Sequence, residues 1–180
     1  MNNKNNKSLQ SKVTQESIFT ALMILMGKKN FNEITITEVA QKAGVSRMSF
    51  YRNYDIMEDV LNDYLDELFD DYSKQIIDCK DKYNKESIRL FFAYFRNQER
   101  LLTNLIKSNM SYLILDRCIE FFYTLARNVV CRNSHLPSKQ KYIIEYAAGG
   151  LYKVLIEWAK AGMKESDGDM ADFCYELIEP

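Results

Sequence analysis

The stretch TITEVAQKAGVSRMSFYRNY, residues 35–54, decides the fold. Thr35 followed three residues later by Glu38 is a capping box, in which each side chain satisfies a backbone N–H that the first helical turn leaves without a partner. A helix therefore starts at Ile36, with Val39, Ala40 and Ala43 on its inner face, and stops at Gly44. Gly44 lies four residues after Ala40, the spacing a helix-turn-helix needs. A small side chain sits where two helices cross, and a glycine sits where the turn takes a positive φ. Val45 is expected under the turn, and Ser46 caps a short third helix. The inner face of that helix is Phe50 and Tyr54, which leaves Arg47, Met48, Ser49, Tyr51, Arg52 and Asn53 outward. Such side chains suit phosphates and base edges better than an ordinary solvated helix face.

Working outward, Ile18, Ala21, Leu22, Leu25 and Met26 recur at helical spacing and predict a first helix from Lys12 to a stop at Gly27. The turn KKNFNEI follows, with Phe31 and Ile34 as core plugs. After the quoted stretch, Asp55 and Glu58 form a second box-like pair opening a long helix through Val60, Leu61, Tyr64, Leu65, Leu68, Phe69 and Tyr72 to about Cys79. Eight acids and no base lie between Asp55 and Asp71, so this segment is expected to face away from any duplex or to run into a second module. DKYNKES (residues 81–87) reads as a connector. Helical segments are predicted near 87–96, 98–107, 111–134, 138–161 and 169–179, with Pro137 and Ser138 as stop and restart signals and Gly162 as a terminator.

The fold class is therefore all-α with about nine helices, and six glycines and two prolines in 180 residues leave little turn material for a sheet. The expected organisation is a flexible polar tail over 1–11, a helix-turn-helix domain suited to DNA over 12–54, and a second helical domain over 55–180. Charge divides the same way. Residues 1–54 hold eight Lys or Arg against three acids, net +5, and residues 55–180 hold 16 against 22, net −6, which together give the −1 of the chain. A basic front on an acidic body suits a nucleic-acid reader joined to a separate module.

Other classes find less support. The apolar runs ALMILM and FFAYF are far short of the roughly 18 to 20 residues that span a bilayer, and MNNKNNKSLQSK has no signal-peptide core. Cys79, Cys118, Cys131 and Cys174 are widely spaced in mixed helical segments, which suits reduced thiols and a cytoplasmic location. Cys131 and His135 make a poor metal site without a second pair of ligands, so neither metal nor cofactor is expected. One histidine, no G-x-S-x-G and no phosphate-cradling glycine loop argue against an enzyme.

The order of features in TEVAQKAGVSRMSFYRNYDIMEDVL, a capped second helix, the A-G-V-S turn, a short helix with Tyr-Arg, an aromatic residue and an acidic start to the fourth helix, resembles the tetracycline-repressor (TetR) family of bacterial transcription regulators. The segment AAGGLYKVLIEWAKAGMKES is similar to the regulatory domain of a branch common in low-GC Gram-positive bacteria. The resemblance implies a homodimeric repressor on double-stranded operator DNA, with a homeodomain-like DNA-binding domain over 12–54 and a helical domain over 55–180 for dimerisation and for binding a small effector as ligand. Position by position it implies that Thr35 and Ser46 cap helices and touch phosphates, that Arg47, Met48 and Ser49 face base edges or the groove wall, that Tyr51 donates to phosphate, and that Arg52 and Asn53 line the backbone. The chain departs from the family pattern at Ile56 and Met57, where a small polar residue and a lysine are common. Weak or lost DNA binding, with the protein acting as a ligand-sensing partner of other proteins, is the rival reading that this departure motivates.

In the second module, Phe91, Phe95, Tyr112, Phe122 and Tyr146 are the candidates for an apolar pocket that would take an apolar or amphipathic effector. Gly149 and Gly150 inside a predicted helix disfavour it by about 1 kcal/mol each, which makes sense where another backbone approaches, from within the chain or from a second subunit. Gly150, Leu151, Val154, Leu155, Trp158, Phe173 and Leu177 are the corresponding expectation for a four-helix dimer seam.

Overall fold

The computed structural model describes residues 2–77, 85–130 and 137–178. Nine α-helices occur among the described residues: α1 (Asn2–Met26), α2 (Ile36–Ala43), α3 (Arg47–Tyr51), α4 (Met57–Ile77), α5 (Lys85–Arg96), α6 (Glu99–Lys107), α7 (Tyr112–Val130), α8 (Pro137–Lys160) and α9 (Asp167–Ile178). A 3-10 turn over Phe31–Glu33 joins α1 to α2. The all-α expectation holds. The chain forms two compact units, residues 1–65 and 66–180, so the first part of α4 belongs to the N-terminal unit rather than to the second domain.

In the N-terminal unit, Ile18, Leu22, Val39, Phe50, Leu61 and Leu65 are fully enclosed, with Ala21, Met26, Ile34 and Ala40 also in the core. Phe19 of α1 stacks on Tyr64 of α4, their ring centroids 3.7 Å apart and nearly parallel. Helix α1 starts ten residues earlier than Lys12, so helix replaces the polar tail expected over most of residues 1–11. Nucleation is the costly step of helix formation; once the apolar turns from Ile18 are fixed, Asn, Lys, Ser and Gln extend the helix without needing a face to bury. The opening of α4 also differs from the expected pairing. Asp59, not Glu58, accepts the N–H groups of Asp55 and Ile56, at 3.0 and 2.9 Å.

In the second unit α5 packs on α9, and α6 and α7 on α8. Its centre is a set of aromatic rings. Phe69, Tyr72, Phe91, Phe95 and Phe121 meet edge to face or tilted, with centroids 4.9 Å apart for Phe91 and Phe95 and 5.0 Å for Tyr72 and Phe121. These are the geometries that ring quadrupoles favour. Arg96, at the end of α5, ties down the segment between α8 and α9. Its guanidinium lies 4.7 Å over Trp158, pairs with Asp167 at 2.7 Å, and donates to the carbonyls of Met163 and Glu165 at 2.9 and 2.6 Å. Gly162, at φ 82°, ends α8 as expected from the sequence. The connector at residues 81–87 and the Cys131–His135 pair fall largely outside the described residues.

Candidate nucleic-acid interface

The predicted caps around the helix-turn-helix are present. The Thr35 hydroxyl accepts the Glu38 N–H at 3.3 Å and donates to a Glu38 carboxylate oxygen at 2.8 Å, while the Thr35 N–H donates to the same carboxylate at 2.9 Å. The other Glu38 oxygen takes Lys29 at 2.6 Å. Lys29 first, then the Thr35 N–H and hydroxyl, hold the Glu38 carboxyl down at about 2. Gly44 adopts φ 69°, ψ 25°, and the Val45 N–H reaches back to the Ala40 carbonyl at 2.9 Å. This left-handed cap turns the chain into α3. The Ser46 hydroxyl accepts the Ser49 N–H at 3.0 Å.

Helix α3 is short, and its orientation depends on two rings. Phe50 is fully buried and Tyr54 nearly so, and the Tyr54 hydroxyl donates to Asp63 of α4 at 2.8 Å. Gln15 of α1 donates to the same Asp63 oxygen at 3.3 Å, so α1, α4 and the segment that follows α3 share one polar anchor. At about 100° per residue, Arg47, Tyr51 and Met48 span an arc of about 100° on α3, with Met48 on the side away from Phe50, and Arg52 follows at the C-cap. All four are exposed, Met48 at 65% and Tyr51 at 46%.

Two expected contact residues are otherwise engaged. The Asn53 amide donates to the Ser49 carbonyl at 2.8 Å and its oxygen accepts the Ser11 hydroxyl at 2.7 Å, so Asn53 braces α3 against α1. The Thr35 hydroxyl gives its proton to Glu38, which leaves it a cap and no donor for phosphate. Ser49 is half-buried. The acids of early α4 serve internal contacts: Asp59 caps the helix and Asp63 anchors Tyr54.

The five residues expected around an effector pocket are not brought together. Phe91, Phe95 and Phe122 are buried core, the first two inside the ring cluster, whereas Tyr112 and Tyr146 are exposed, Tyr146 at 84%. Helical periodicity marked them as apolar-facing but could not separate interior from surface.

The dimer expectation divides as well. Leu155 and Trp158 are buried within their own chain, Trp158 against Phe92 with centroids 5.3 Å apart. Gly150, Phe173 and Leu177 are exposed, and Leu151 and Val154 half-exposed. A Cβ placed on Gly149 or Gly150 meets nothing within 4 Å, so no close crossing among the described residues explains them. Ile143, Tyr146, Gly150 and Val154, at spacings of three, four and four, form one strip of α8 opposite the buried Ile144, Ala148 and Leu155. Tyr142, exposed at 72%, joins this strip; neither it nor Ile143, exposed at 60%, was among the expected seam residues. The 3-4-4 spacing around a glycine was the available signal. A groove of about 530 Å³ between α8 and α9, lined by Val154, Trp158, Met170 and Phe173 among others, continues it.

The N-terminal unit is thus a helix-turn-helix that turns a compact, cationic and mostly polar helix face to solvent, on a chain whose remaining described residues are also helical. That combination defines a class, the helical transcription regulators. A family model described as the C-terminal region of transcriptional regulators of the TetR type matches residues 82–180, more than half of the sequence, and the chain belongs to the TetR family of transcriptional regulators. No curated protein matches. Among solved structures, a TetR transcriptional regulator from Streptococcus agalactiae is 18% identical over 99% of this chain and 100% of its own, with a TM-score of 0.66. Lin0861 from Listeria innocua is 16% identical over 94% and 91%, with a TM-score of 0.76. The FadR repressor of Thermus thermophilus, solved in complex with lauroyl-CoA, is 21% identical over 91% and 92%, with a TM-score of 0.53. At these identities the likeness is one of fold. Among the described residues, no helix is long and apolar enough to cross a membrane.

Proposed function

We propose that this protein is a homodimeric, cytoplasmic repressor that places the outward face of α3 in the major groove of a pseudo-palindromic operator and leaves it when a small apolar or amphipathic effector binds the second unit. One observation carries the DNA reading: Phe50 and Tyr54 fix α3 from beneath, while Arg47, Met48, Tyr51 and Arg52 stand exposed. A short helix held this way presents its first-turn side chains to base edges and its later ones to the sugar-phosphate backbone. Arg47 and Met48 are the first kind; Tyr51 and Arg52 are the second.

The strip of Tyr142, Ile143, Tyr146, Gly150 and Val154 on α8, with Phe173 and Leu177 on α9, supports the dimer. Two copies related by a two-fold axis would cover these apolar side chains, and the bare Gly150 lets the helices approach. Two reading helices are then about 34 to 36 Å apart, one turn of B-DNA. The effector reading rests on family membership and on the precedent of a relative solved with an acyl-CoA. An effector lowers operator affinity by as much as it prefers the conformation with the wrong spacing.

The test is an anisotropy titration of the full chain, at stated salt, against duplex upstream of its own gene and against shuffled duplex of equal composition. Preference for the upstream duplex by about a thousandfold or more is the expected result. Equal affinity for both favours the rival reading, a ligand-sensing partner of other proteins, which the exposed Ile56 at the start of α4 keeps in play.

A further inference from the structure

The internal hydrogen bonds of the helix-turn-helix narrow what its face can read. Seven side chains near that face carry hydrogen-bonding groups, Thr35, Ser46, Arg47, Ser49, Tyr51, Arg52 and Asn53, and the proposal above gives Tyr51 and Arg52 to the sugar-phosphate backbone. Asn53, with an amide able to pair bidentately with adenine, commits one N–H to Ser49 and one oxygen lone pair to Ser11, which holds it against α1. Thr35 spends its proton on Glu38, and the Ser46 oxygen holds the Ser49 N–H. Ser49 is half-buried beside Phe50. Arg47, in the first turn of α3, is exposed and makes no hydrogen bond or ion pair among the described residues. Next to it Met48 is 65% exposed. A thioether chain offers no hydrogen-bond donor, so what it can distinguish in a major groove is an apolar group. The one apolar group displayed there is the C5-methyl of thymine.

Resting on the DNA reading above, we infer that Arg47 and Met48 together set the operator preference of this protein: each half-site carries a guanine, taken through O6 and N7 by the Arg47 guanidinium, and on a neighbouring base pair a thymine whose methyl group packs on the Met48 side chain. The adjacency of the two residues in one helical turn places their targets on adjacent steps of the groove.

The experiment selects duplexes from a randomised library with the full-length protein, then replaces the selected thymine by deoxyuridine, which removes the methyl group and leaves base pairing intact. The wild type is expected to enrich a half-site with a guanine beside a thymine, and to bind the deoxyuridine duplex about fourfold more weakly, the worth of one buried carbon. Met48→Ala is expected to bind both duplexes equally, and Met48→Leu, which restores an apolar contact, to recover the difference. Arg47→Ala is expected to lose the choice of guanine. A half-site without the thymine, a deoxyuridine duplex bound as tightly as the parent, or a Met48→Ala variant that still tells the two apart would overturn the inference while leaving DNA binding intact. No enrichment over the starting library would overturn the DNA reading itself, and the inference with it.

Discussion

Arg52 and Glu38 show how differently two exposed charges near the reading face contribute. Arg52 caps the end of α3 by its backbone, and its side chain lies exposed there, where the proposal places phosphate. Arg52→Ala should weaken binding to all duplexes by a similar factor and reduce the slope of log affinity against log salt by about 1, read from titrations at several salt concentrations. An unchanged slope would remove Arg52 from the interface. Glu38, by contrast, works on the fold. Its carboxyl is held near 2 by Lys29 and Thr35, so its contribution to stability is complete above the ordinary value of 4.5 and is lost as pH falls towards 2. Glu38→Gln should lower the melting temperature at pH 6, and the gap from the wild type should close between pH 4.5 and 2. A gap independent of pH would mean that the charge is not what the cap uses.

Among the elements, α2 and α3 were legible in the sequence because everything that starts, stops and turns them is local. The box of Thr35 and Glu38, the left-handed Gly44 and the Ser46 cap are set by residues within four positions of one another. The same locality makes their failure predictable. Phe50→Ala should destabilise the N-terminal unit by about 3 to 5 kcal/mol, measured by denaturant melts, because it empties the site that holds α3 down. Gly44→Ala forces a side chain into the left-handed region at a cost of about 1 to 2 kcal/mol. A Phe50→Ala loss of under about 1 kcal/mol would mean that the helix is held by something else. What local pattern did not show is who covers an apolar face. Leu155 and Trp158 read like Phe173 and Leu177, yet the first pair is roofed by the chain itself and the second is open. The bonds from Ser11 to Asn53 and from Gln15 to Asp63 span more than forty residues, and no spacing rule foresees them.

At the scale of the whole molecule, the sequence joins a basic front, net +5 over residues 1–54, to an acidic body, net −6 over residues 55–180. The exposed strip on α8 and the open end of α9 make the assembly a matter of a few side chains. Tyr146→Glu combined with Leu177→Glu should leave the fold intact, since both residues are exposed, and should convert a dimer into a monomer in sedimentation velocity. It should also weaken operator binding, because two linked readers engage a palindrome with far higher avidity than one. A wild type that sediments as a monomer at all concentrations would remove the dimer and the spacing argument built on it.

The exposed reading face is tested most directly by methionine methyl resonances, because the chain carries its own reporters. Met48 stands at 65% exposure on α3, whereas Met23, Met110, Met163 and Met170 are all below a tenth. With ¹³C-methyl methionine in the full chain and a duplex selected by the protein itself, the account predicts that the Met48 resonance moves or broadens as duplex is added while that of Met23, in the core of the same unit, stays in place. A Met48 resonance unmoved at saturating duplex would place the DNA elsewhere and contradict the account.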